Sequence, residues 1–134
     1  MSAEKAEYIK QWLQKANDDF RAFDYLMKDE FPLTTIAGFH LQQAAEKFLK
    51  AFLEANSISF ARTHDIEYLI QLCAELNPAF ANVETGNLTD YAVDIRYPGD
   101  QVIPSAEELI RAKEWVSTMK QIVEEAIWPF LFEN

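Results

Sequence analysis

The chain of 134 residues is short of cysteine, glycine, proline and positive charge, and each shortage removes a class of answer. A single cysteine, Cys73, permits no internal disulfide and no thiolate zinc site. It sits in the apolar run Ile70-Gln71-Leu72-Cys73 and reads as a buried bystander rather than a nucleophile. Three glycines and five prolines are too few for the many turns of an all-β fold. Twelve basic residues face 22 acidic ones, for a net charge of −10. The basic residues are dispersed, so nonspecific nucleic-acid binding, which needs clustered Lys and Arg, is not expected. A local anion pocket stays open, and the acidic surface serves solubility. No run approaches 18 apolar residues, which predicts no membrane span. The charged N-terminus lacks an apolar core segment, so no signal peptide and a cytoplasmic location are expected.

Catalytic and metal motifs are also missing. Paired Glu-x-x-His sites of di-metal bundles need a glutamate three residues before a histidine; Ala37 precedes His40 and Ala61 precedes His64. There is no His-Glu-x-x-His, no glycine-rich phosphate loop and no Gly-x-Ser-x-Gly elbow. No metal and no cofactor are expected.

What is present is helical pattern. Hydrophobic residues make up 49% of the chain, ample for a single core in one domain over residues 1–134. The stretch Thr34 to Asn56 carries Ala37, Leu41, Ala44, Phe48, Phe52 and Ala55 at three- and four-residue steps. A second stripe at the same spacing is polar: His40, Gln43, Lys47, Lys50 and Glu54. Gly38 costs about 1 kcal/mol of helix propensity relative to alanine, so close helix packing is its expected reason.

Residues from about Ala3 to Lys28 form a first helix with Ile9, Trp12, Ala16, Phe20, Phe23 and Met27 on one face. Pro32 breaks it, and Thr34 or Thr35 is expected to cap the second helix. Asn56 is expected in the left-handed C-terminal conformation. Thr63 is expected to cap a shorter third helix, with His64 bonded locally at its start, and Asn77-Pro78 to stop it. A short helix over Leu88 to Ile95 precedes the irregular Arg96-Tyr97-Pro98-Gly99-Asp100. Ser105-Ala106-Glu107-Glu108 is a capping box opening a last helix that Pro129 is expected to end. The sum is all-α, an up-and-down bundle of four to five helices with antiparallel neighbours.

Two constellations carry chemistry. The stripe His40, Gln43, Lys47 and Lys50 reads either as a solvated outer face or as a subunit interface or ligand pocket. Arg96, flanked by Asp94, Tyr97 and Asp100, either presents a guanidinium fork to phosphate or carboxylate, or merely clamps its loop.

The same stretches resemble the HEPN domain family in its small stand-alone prokaryotic form. The resemblance rests on Trp12-Leu13, Ala16 and Asp18-Asp19, on Phe39-His40-Leu41-Gln42-Gln43-Ala44-Ala45-Glu46-Lys47, on Thr63-His64-Asp65-Ile66, and on Arg96-Tyr97-Pro98. It implies a homodimer with a polar cleft between subunits and, in many members, a minimal nucleotidyltransferase as partner. Some members are metal-independent RNases, several of them toxins, that use an arginine followed by histidine after four to six residues. The imidazole would move the ribose 2′-hydroxyl proton while arginine neutralises the phosphate. Here Arg96 matches, but those spacings land on Gln101, Val102 and Ile103, none a general base.

The expectation is therefore a non-catalytic HEPN homodimer. It binds a nucleotide or small anion, or docks on a nucleotidyltransferase, with Arg96, Tyr97, Asp94, His40, Gln43 and Lys47 as ligand-binding candidates. Its rivals are an RNase whose displaced base is His40 or His64, and a purely structural interaction module.

Overall fold

The computed structural model describes residues 1–92 and 103–132. Four α-helices lie among them: α1 (Ala3–Met27), α2 (Thr34–Ala55), α3 (Ile66–Leu76) and α4 (Ala106–Phe132). Two 3₁₀ turns, Pro78–Asn82 and Leu88–Ala92, separate α3 from α4, and no strand occurs among the described residues. The fold is the expected all-α bundle.

α2 is its axis. Besides the apolar stripe, Gly38, Ala45, Leu49, Ala51 and Leu53 are buried, so apolar contact surrounds the helix on more than one side. α1, α3 and α4 each pack against it. A Cβ added at Gly38 would lie 3.3–3.4 Å from Pro104, Leu109 and Tyr91, which accounts for glycine as a close-packing device.

Pairings along the helices give their directions. Lys5 bonds to Ser57 and Asp19 to His40, so α1 and α2 are antiparallel, as a short connection predicts. The α2–α3 pair departs from that expectation. His64 meets Glu46, Cys73 meets the carbonyl of Leu49, and Leu76 shares a cavity with Phe52 and Ala55. The linker after α2 therefore doubles back along it, and α3 then runs in the same sense as α2.

The helix ends differ from the sequence-based expectation in several places. α2 starts after Leu33 without a side-chain cap, and Thr34 and Thr35 lie inside the helix. Asn56 is not left-handed (φ −96°); Ser57 takes that conformation (φ 57°), and Ile58 N–H closes on the Leu53 carbonyl at 2.9 Å. Asp65, rather than Thr63, caps α3 by accepting from Tyr68 N–H. Ser105 accepts from Glu108 N–H at 3.1 Å, but the Glu108 carboxylate accepts from the Tyr91 hydroxyl, so the capping box is half used. Pro129 does not end α4, which continues to Phe132. Near a helix end its missing N–H and ring affect only one turn.

No helix among the described residues is long and apolar enough to cross a membrane.

Candidate polar face between the first two helices

The antiparallel pairing of α1 with α2 turns the polar stripe of α2 into an ordered array rather than a wet outer surface. Asp19, on α1, stands opposite it. Its Oδ1 lies 2.8 Å from His40 Nδ1, and its other oxygen accepts from Lys47. Further along α2, Glu46 is buried and gathers three partners. Its Oε1 lies 2.6 Å from His64 Nδ1 and accepts from Gln42 Nε2 at 3.3 Å, while its Oε2 accepts from Lys50 Nζ at 3.2 Å. Gln42 also donates to the His64 carbonyl at 3.2 Å, and Gln43 donates to Gln42 Oε1 at 2.8 Å.

The local geometry follows from helix spacing. Residues 42, 46 and 50 are four apart and stack along one line of α2, as do 43 and 47. Gln42, Glu46 and Lys50 are buried polar residues, and buried charge is retained only where it is paired and hydrogen-bonded. Lys50 is therefore no part of a wet face. Its stem also brings the ammonium 5.8 Å from the Phe60 ring on the returning linker.

His64 does not bond locally at the start of α3, as the sequence suggested. Its side chain is 67% exposed, yet its Nδ1 is fixed by a carboxylate that is only 6% exposed. A carboxylate accepts and does not donate, so Nδ1 carries the proton. Nε2 then has no hydrogen-bond partner among the described residues.

Each carboxylate thus serves one lysine and one histidine. With both imidazoles neutral the four-charge set balances; with them protonated it carries surplus positive charge. Among the described residues no group of three or more His, Cys, Asp or Glu is arranged to hold a metal ion. The lone thiol takes no part in this array: Cys73 is buried with its Sγ 3.8 Å from the Leu49 carbonyl, and burial pushes its pKa up to about 12.

Of the residues singled out from sequence, His40, Gln43 and Lys47 come together on this face. Arg96, Tyr97 and Asp94 lie outside the described residues. Periodicity alone passed over Asp19, Glu46 and Gln42, which organise the array. Their signal was a carboxylate or amide placed where a helix otherwise turns inward.

The described residues thus form an all-α bundle whose central helix carries a buried, ordered polar array. Residues 9–127 match the HEPN domain, and the chain belongs to that family. No curated protein and no solved structure matches it.

Proposed function

We propose that the protein is a non-catalytic HEPN homodimer that binds a nucleotide or another small anion on the polar face of α2. The same face would lie toward the second subunit, or toward a minimal nucleotidyltransferase. What supports this is one observation: in a chain of net charge −10, His40, Lys47, Lys50 and His64 converge on two carboxylates, Asp19 of α1 and Glu46 of α2. An incoming anion that competes with Asp19 meets His40 and Lys47 already held in place, so little side-chain entropy is left to remove. Arg96 is the proposed anion contact, with Tyr97 and Asp94 beside it.

Calorimetric titration with ATP, ADP and AMP tests the assignment. Binding by the wild-type chain and its loss in Arg96→Ala is the expected pattern; equal binding by both proteins removes Arg96 from the site. Sedimentation of the free chain reads the dimer.

One observation favours a second reading, RNA cleavage without a metal. The Glu46–His64 pair holds an exposed imidazole in one tautomer, the arrangement a general base requires. That reading predicts cleavage abolished in both Arg96→Ala and His64→Gln proteins. Clean, concentrated protein leaving several RNAs intact would dismiss it.

A further inference from the structure

Beside the polar array lies a cavity of about 350 Å³ lined by Tyr8, Gln11, Trp12, Lys15, Glu46 and Lys47. Its volume falls in the range of small-molecule sites, which combine aromatic walls with a few convergent polar groups. The walls here are Tyr8 and Trp12, one turn apart on α1, with ring centroids 6.2 Å apart and planes at 80°.

Two of the residues lining this cavity, Trp12 and Lys15, carry donors with no partner among the described residues. Trp12 Nε1 is buried and has no hydrogen-bond partner among the described residues. Such orphans are rare, because an unsatisfied buried donor costs about 1–3 kcal/mol. The indole N–H only donates, so what would satisfy it is an acceptor. Glu46 and Lys47 are already engaged, with His64, Lys50 and Gln42 and with Asp19 respectively. Lys15 is exposed and makes no ion pair among the described residues, which leaves its ammonium as the unbalanced charge of the cavity. Tyr8 is half-exposed and meets the Trp12 ring edge-on, so its side chain is free to move aside for a ligand.

We infer that this cavity is a binding site for a small aromatic anion. Its ring lies against Tyr8 and Trp12, and its carboxylate or phosphate accepts from Trp12 Nε1 and faces Lys15. Tyr8, Trp12 and Lys15 are absent from the array invoked above, so the two assignments stand or fall separately. Glu46 and Lys47 are the rim the two share, and neither is varied in the test.

The indole N–H resonances of the ¹⁵N-labelled full-length chain read this directly, the Trp12 signal being the one lost in Trp12→Phe. Benzoate and phenyl phosphate are titrated as the two anion types, with acetate lacking the ring and benzyl alcohol lacking the charge. The expected result is a saturable downfield shift of the Trp12 signal with at least one of the two aromatic anions and with neither control. Affinity, followed on the backbone amide of Gln11 in every protein, should fall about tenfold in both Trp12→Phe and Lys15→Gln. Trp12→Phe keeps an aromatic wall and Lys15→Gln alters an exposed residue, so both variants are expected to fold. No saturable shift with either anion, equal shifts with benzyl alcohol, or undiminished affinity in both variants would overturn the site.

Discussion

His64 Nδ1 stands 2.6 Å from Glu46 Oε1, joining an exposed ring on the returning linker to a buried carboxylate on the central helix. The contact ties the linker between α2 and α3 to the middle of α2. It shares its carboxylate with Lys50, so the exposed and buried parts of the array are coupled through one side chain.

That sharing makes Glu46 the costly residue to remove. In Glu46→Ala the Lys50 ammonium is left buried without its partner, a loss of about 3–5 kcal/mol. His64→Ala exposes nothing and leaves the Glu46–Lys50 pair intact, so its effect is expected below about 1 kcal/mol. Urea denaturation of the two variants gives the comparison; similar losses would mean that the buried pair does not stabilise the fold.

The two described glycines that approach side chains should respond differently to alanine. Gly86 has a positive φ of 49°, and a Cβ there would come within 2.5 Å of the Trp115 ring. Both the left-handed backbone and the collision oppose the substitution, with a loss of at least about 1–3 kcal/mol. At Gly38 the nearest atoms are side-chain carbons at 3.3–3.4 Å, and alanine gains about 1 kcal/mol of helix propensity. Gly38→Ala is therefore expected to be close to neutral. Thermal melts of the two variants decide the order.

Alkaline pH should weaken the fold. Cys73 rises from an ordinary 9.0 to about 12 through burial, and Tyr91 from 10.0 to about 12 through burial and then the charge of Glu108. Both groups stay neutral in the folded chain while the unfolded chain ionises. The unfolded state then binds fewer protons, so stability is unaffected below about pH 9 and falls from there towards pH 12. Unfolding free energies between pH 8 and 11 should show this decline, with a shallower slope in Cys73→Ala. An unchanged slope in that variant would assign the decline elsewhere.

Much of the fold was legible because periodicity reports burial. The stripe from Ala37 to Phe52 marked the central helix, and Gly38 marked a close approach. Directions of pairing were less legible. Nothing in the spacing shows that the residues after Ser57 turn back along α2, since that depends on Phe60 and His64 meeting Lys50 and Glu46. The candidate site was half visible for the same reason. His40, Gln43 and Lys47 fall on one stripe, but their partner Asp19 lies on another helix, and Glu46 and Gln42 read as interruptions of an inward face. Caps were misplaced by one or two residues where several candidates adjoin, as at Thr63 and Asp65. The unpartnered indole of Trp12 has no sequence signature, because a tryptophan on an apolar face reads as core.

The polar face of α2 is proposed to receive a small anion together with Arg96. The most direct measurement is a titration of the ¹⁵N-labelled chain with AMP, followed on assigned amide resonances. Saturable shifts concentrated at His40, Gln43, Lys47 and the residues around Arg96 are the predicted result. An absence of saturable shifts, or shifts confined to a different part of the bundle, would contradict it.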